Sequence, residues 1–193
     1  MHVQEQKEQL RQSIRERLSK MNAKERAAES RTLCKELVKL LPKEPTTLCA
    51  YVPLGDEADI RPLLLALLKR GDALYLPRFE EGALAFRRAN DLTSLKPGKF
   101  DIPEPPLTAD PLPLDVLTHV LVPGRAFNAK GDRLGRGNGG YDFWIAKLQK
   151  THPHVQVWGT ALECQIVREI PMEEHDATVD AVVTARGRLG QSS

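Results

Sequence analysis

From residue 46 onward the chain alternates short β-prone runs with Leu-rich helical segments, and this rhythm restricts its fold more than any other feature. Thr46 to Val52 (TTLCAYV) reads as a strand, Asp59 opens a Leu-rich helix that Gly71 stops after Arg70, and Ala73 to Pro77 (ALYLP) follows at once as another strand. Two strands can run parallel only if a crossover returns the chain, and a helix between them supplies it. Ala83 to Arg88 after the Glu81-Gly82 turn, Asp115 to Val122 (DVLTHVLV), Val155 to Leu162 and Thr178 to Thr184 continue the set, with Asp115 to Val122 central. The expected class is α/β: a three-layer αβα sandwich around a mostly parallel sheet, one domain over residues 1–193, with 186–193 frayed.

Two helices precede this pattern. Val3, Leu10, Ile14, Leu18 and Met21 recur at helical spacing, and Lys7, Arg11 and Arg15, four residues apart, fall in a line beside that apolar stripe. A line of this kind is ordinarily a solvated face. Asn22 with Glu25 has the form of a capping box, and Leu33, Leu37, Val38, Leu40 and Leu41 carry the second helix to Pro42. Lys96 to Pro113 holds six of the 14 prolines and has little periodicity, so it is expected to be an extended excursion over the surface within the same domain.

Composition removes several function classes. With 28 basic and 26 acidic residues the net charge is +2, too balanced for a nucleic-acid partner. Cys34, Cys49 and Cys164 are widely spaced and form neither a disulfide framework nor a zinc pattern, as expected in a reduced cytoplasm. The polar segment from Met1 to Lys20 has no apolar run for a signal peptide or membrane span. A soluble, cytoplasmic, monomeric protein without a membrane partner is expected.

Chemistry concentrates in Arg133-Leu134-Gly135-Arg136-Gly137-Asn138-Gly139-Gly140-Tyr141-Asp142. The run lies between a predicted strand and a helix expected over Asn138 to Gln149, where glycines permit close approach and several amides can face one phosphate near a helix N-terminus. It lacks the Gly-Lys-Ser/Thr ending of a Walker A loop, and its glycine spacing is not that of the dinucleotide fingerprint. In a parallel sheet, loops leaving the carboxyl ends of strands build the ligand site.

Pro123-Gly124, Ala126-Phe127, Gly131 and RLGRGNGGYD together resemble the signature of the 5-formyltetrahydrofolate cyclo-ligase family, also called 5,10-methenyltetrahydrofolate synthetase. The basic first helix, VPLGDE at 52–57, Leu76-Pro77-Arg78 and HDATVDAVVT near the C-terminus fall in family order, so the resemblance covers nearly the whole chain. It implies conversion of 5-formyltetrahydrofolate and ATP to 5,10-methenyltetrahydrofolate, ADP and phosphate with Mg²⁺. It assigns Lys7, Arg11 and the run Arg133, Leu134, Gly135, Arg136, Gly137, Asn138, Gly139, Gly140 and Tyr141 to ATP. The resemblance also implies that Val52, Glu57 and the stretch Arg136 to Gly140 would face the reduced folate and that Asp142 and Asp176 would hold Mg²⁺, and Arg136 is the candidate catalytic donor to the developing charge.

Simpler readings stand beside these assignments. Asp142 suits a first helical turn, Asp180 competes with Asp176 as metal ligand, and Asp56, Glu57 and Asp59 suit a helix start. His152 and His154 fall in a turn and His175 gains no role, while Trp144 and Trp158 suit the core as well as a folate pocket. The family pattern has two aromatics before the aspartate, whereas this chain has Gly140-Tyr141. An ATP-dependent enzyme acting on another small acceptor, and a non-catalytic nucleotide-binding module, are the alternatives.

Overall fold

The computed structural model describes residues 2–189. Helix α1 (Val3–Lys20) buries Lys7, Ile14 and Leu18 on one side, and α2 (Ala23–Leu40) starts in the expected capping box: the Glu25 amide donates to Asn22 Oδ1 at 2.9 Å and the Asn22 amide to Glu25 Oε2 at 3.0 Å. Then come β1 (Thr47–Cys49), α3 (Arg61–Arg70), β2 (Ala73–Glu80) and β3 (Ala83–Arg88). The Pro-rich stretch contributes β4 (Lys96–Pro97) and β5 (Pro103–Glu104). After it come β6 (Leu117–Val122), β7 (Ala126–Phe127), β8 (Arg133–Leu134), α4 (Gly140–Thr151), β9 (Gln156–Thr160), β10 (Ala181–Thr184) and β11 (Gly187–Leu189).

Seven strands form the main sheet in the order β11-β10-β9-β6-β1-β2-β3. Pairing is parallel from β10 through β9, β6 and β1 to β2, with Leu48 opposite Leu74 on one side and His119 on the other, and an antiparallel strand closes each edge. Ile14, Leu18, Leu33, Leu37, Leu63, Leu64 and Leu67 from α1, α2 and α3 share one core, whereas Ile145 and Leu148 of α4 belong to the other. The three layers expected from the alternation are present, with β6 in the middle of the sheet.

Two local expectations need correction. The end of the chain was expected to fray from residue 186, but Gly187–Leu189 pairs antiparallel with β10, Val183 opposite Arg188. Residues 190–193 lie outside the described residues. The Pro-rich stretch does more than cross the surface: β4 and β5 pair as a hairpin, and Glu104 is buried because its carboxylate takes the Phe79 amide at 3.1 Å and faces the Arg78 guanidinium at 3.3 Å.

The glycines of the Pro123-Gly124 and Trp158-Gly159 segments have a packing reason. A β-carbon on Gly124 would stand 2.6 Å from the Phe127 ring, and one on Gly159 would stand 2.3 Å from it. Phe127, fully buried, is thus sandwiched between two backbones that approach closely only without side chains. Gly159→Ala should destabilise the chain by about 1–3 kcal/mol through overpacking, read as a lower urea midpoint with unchanged slope; an unchanged midpoint would remove this packing account.

Candidate functional site

From β1 the chain moves outward through β2 to β3, then jumps across to β6 and moves outward the other way through β9 and β10. The order reverses between β1 and β6, so the connections leaving their carboxyl ends diverge and leave a crevice. Tyr51, Val52, Leu54 and Glu57 after β1, and Pro123 and Gly124 after β6, line a cleft there. The opposite wall is Pro77, Arg78 and Phe79 of β2 with Leu84, Ile102 and Glu104, and Arg133, Gly135, Arg136, Asn138, Gly140 and Tyr141 close it.

The Gly-rich run bends into α4 through Gly137 and Gly139, whose φ values of 101° and 66° favour glycine. Gly139 is the N-cap, leaving the first-turn amides of α4 directed toward the loop. Arg11 ties α1 to this loop by donating from Nε to the Gly135 carbonyl at 3.0 Å. Arg15 instead reaches Glu8 and Gln12 on the exposed surface and stays outside the site.

Arg136 is held by two adjacent acids. Its Nε and Nη2 donate to Glu57 Oε1 at 3.1 and 3.0 Å, and Nη2 also donates to Asp56. Glu57 is only 8% exposed, and its other oxygen takes the Leu54 amide at 2.9 Å, closing its own loop. Asp56 accepts from buried Arg125 as well; burial pushes its carboxyl up, but hydrogen bonds from Arg125 and Arg136 outweigh that and hold it below the ordinary value. Burial, and secondarily the Glu57 charge, raises the Tyr141 hydroxyl far above its usual range, so it stays protonated.

Arg133 is buried, donates to the Pro123 carbonyl at 3.0 Å and to Asp142 Oδ1 at 2.8 Å, and lies 5.6 Å above the Tyr141 ring centre. Its buried Nε lacks a hydrogen-bond partner. Asp142 Oδ1 also takes the Ala177 amide at 3.4 Å, which places it beside the peptide that follows Asp176. Lys7 reaches the same corner: Nζ lies 2.6 Å from Asp176 Oδ2 and 2.7 Å from Glu173 Oε2. Burial alone would lower its pKa, but the two carboxylates raise it.

Among the residues weighed from sequence, Asp180 turns its carboxylate to the Val157 amide at 2.7 Å and stitches β9 to the approach of β10. Trp158 is buried in β9 and Trp144 packs on Phe86 at 4.5 Å, so neither lines the cleft. The His152 and His154 rings lie 6.0 Å apart in their turn. The sole described group of three or more ligand-type side chains with convergent atoms is Glu173, His175 and Asp176, where His175 is 72% exposed. Sequence reasoning missed Phe79, Ile102, Glu104, Arg125 and Glu173, and it gave Asp56 only a helix-capping role; Arg78 entered only as part of a strand end.

The profile of the 5-formyltetrahydrofolate cyclo-ligase family matches residues 3–185. The chain belongs to this family of enzymes. Its relatives include 5-formyltetrahydrofolate cyclo-ligase of Escherichia coli, 36% identical over 142 residues that cover 72% of this chain and 77% of the relative. The mouse protein of the same name is 27% identical over 192 residues, covering 90% and 91%. Among solved structures, 5,10-methenyltetrahydrofolate synthetase of Aquifex aeolicus is 28% identical with a TM-score of 0.81, covering 97% of this chain and 95% of that one. Among the described residues, no helix is long and apolar enough to cross a membrane.

The acid pair that grips Arg136 gives a pH-dependent prediction. Asp56 has a lowered folded pKa, so its stabilising contribution is fully present above its ordinary value of 3.8 and is lost as the pH falls through the still lower folded value. In urea titrations at several pH values, the advantage of the wild type over Asp56→Asn should be greatest above about pH 5 and shrink toward pH 3; a pH-independent difference would show that charge pairing is not its source.

Proposed function

We propose that this chain closes 5-formyltetrahydrofolate to 5,10-methenyltetrahydrofolate at the expense of ATP, releasing ADP and phosphate. One observation carries the reading: the cleft at the strand-order reversal joins an anion-ready loop, Arg133 to Tyr141, to a buried carboxylate, Glu57, through the single side chain of Arg136. The two half-sites, for phosphate and for a ring with N–H donors, therefore share a wall. Family membership supports the substrate pair, and the apolar side chains of Leu54, Phe79, Leu84 and Ile102 suit a flat heteroaromatic body.

The chemistry explains why no nucleophile is needed. A formamide oxygen is a poor leaving group; its attack on the γ-phosphorus breaks the bond to ADP and makes that oxygen a phosphate ester. The neighbouring folate amine then attacks the formyl carbon, the C–O bond breaks, and phosphate leaves, taking up the proton that the amine gives up. Positioning and charge neutralisation are the protein's share. Lys7, Arg11, Arg133 and the loop amides bind the phosphates, Arg136 donates to the charge that develops on the transferring group, and Val52 and Glu57 orient the folate. A carboxylate with a spare acceptor position, as at Glu57 Oε2, suits pterin N–H groups.

The residues also fit Mg²⁺. Asp142 accepts the amide of the peptide that follows Asp176, and each carboxylate already holds a side-chain cation, so both offer oxygen acceptors in a cation-holding corner. Bound there, the ion would neutralise phosphate oxygens. In this reading the enzyme works as a cytoplasmic monomer.

The direct test mixes the purified chain with 5-formyltetrahydrofolate, Mg²⁺ and ATP and follows the near-ultraviolet absorbance of the methenyl product. Growth of that absorbance only with ATP is expected, and no growth despite demonstrated ATP binding would transfer the proposal to another acceptor. Arg136→Ala should lower turnover by about 10²–10³-fold with the fold intact by circular dichroism, and turnover like the wild type would remove Arg136 from the mechanism. Asp142→Asn should shift half-maximal activity to higher Mg²⁺; an unchanged Mg²⁺ curve would reject it as a ligand.

A further inference from the structure

The cation-holding corner carries a second message. Lys7 is buried, and its ammonium sits against Asp176 Oδ2 and Glu173 Oε2 at 2.6 and 2.7 Å. The Gln4 side-chain amide donates to that same Glu173 oxygen, and the Glu173 amide donates to Asp176 Oδ2 at 2.7 Å, so the two acids are fixed relative to each other. These carboxylates, with His175, are the convergent ligand-type group, and Lys7 occupies the position of a cation on it.

An ammonium and a divalent ion on Asp176 compete for the charge of one carboxylate. A Mg–O contact is about 2.1 Å, so the two cations would stand within about 5 Å of each other, with the oxygen's charge divided between them. Asp142 repeats the pattern, because its Oδ1 holds the Arg133 guanidinium at 2.8 Å. Both carboxylates read as metal ligands thus hold, in the free chain, a side chain read as a phosphate ligand.

We propose that Lys7 holds the metal's place on Asp176 until nucleotide arrives, so that metal and nucleotide bind as one coupled pair by exchanging partners. The inference rests on the proposed function, which gives Asp176 to the metal and Lys7 to the phosphates. Metal alone must compete with a buried ammonium that has no phosphate to receive it. Nucleotide alone meets a lysine whose charge two carboxylates already balance. When both bind, Asp176 passes to the metal and Lys7 to the phosphates, while Glu173 keeps the ammonium from being stranded without a counter-charge. Linkage then requires each ligand to raise the other's affinity by the same factor.

The test measures Mn²⁺ binding to the full chain from the free-ion electron paramagnetic resonance signal, with and without a non-hydrolysable ATP analogue, after subtracting the Mn²⁺ that the analogue chelates in protein-free samples. The wild type should bind Mn²⁺ about tenfold more tightly with the analogue present, and the analogue should gain equally from Mn²⁺. Lys7→Met removes the competing ammonium, so it should bind Mn²⁺ alone about fivefold more tightly than the wild type and lose most of the coupling. Lys7→Gln gives the same comparison if burying Met beside two carboxylates prevents folding. Lys7 variants that bind Mn²⁺ alone no better than the wild type would overturn the exchange while leaving the proposed function standing. A wild type that binds the analogue under neither condition would remove the proposed function, and the exchange with it.

Discussion

The reversal of strand order between β1 and β6 is the constraint on which the rest of the site depends. Both strands are central, parallel and buried, so their carboxyl ends open on the same edge of the sheet. The chain leaves β1 toward α3 and leaves β6 toward β7, so the two exits diverge. What fills the edge is a set of loops whose positions are fixed by side-chain pairs: Arg136 on Asp56 and Glu57, Arg125 on Asp56, and Arg11 on the Gly135 carbonyl. The rigid sheet decides where the cleft lies, and these pairs decide its shape.

Those pairs also set the electrostatics of the free protein. Lys7, Arg133 and Arg136 each face at least one carboxylate, so the residues proposed to receive the polyphosphate present paired charges. Burying cations without partners would be costly, and the acids prevent that cost. The same pairs hold each cation in place, which is the preorganisation that the proposed phosphoryl transfer would need from a protein. In that proposal stability and function use the same residues, with ligands substituting for intramolecular partners.

How much of this was legible follows from how local each signal is. The Asn22–Glu25 box, the Gly71 helix stop and the strand-helix alternation are read within a few residues, and all appear as expected. The Gly-rich run was legible because its composition is rare and its neighbours are a strand and a helix. Glu104 was not, since nothing in a Pro-rich stretch says which of its acids, Asp101, Glu104 or Asp110, will turn inward to take the Phe79 amide 25 residues earlier in the chain. Glu173 was hidden in the same way: it lies 166 residues from Lys7, and only the fold brings them together. Asp56 reads as a helix-starting acid by position, and its role as a brace for Arg125 and Arg136 depends on contacts 69 and 80 residues away.

Gly140 shows how a local departure can be answered by a distant residue. The family pattern places an aromatic there, and its loss would remove apolar contact from the cleft. A β-carbon on Gly140 would stand 3.5 Å from Cζ of Phe79, so the ring at the end of β2 lies directly beside the space that the missing side chain leaves. Phe79 and Gly140 both line the cleft, with Tyr141 next to Gly140 and Ile102 and Leu84 completing the apolar side. An aromatic face is thus still present at that point, supplied from the sheet. A ring on β2 is also braced by hydrogen bonds to its backbone, because the Phe79 amide is held by Glu104, whereas residue 140 sits in the first turn of α4 at the end of a glycine loop. The surface proposed to meet a flat ligand is consequently carried by the more rigid of the two elements, and the loop is left to the phosphate that the proposal assigns to it.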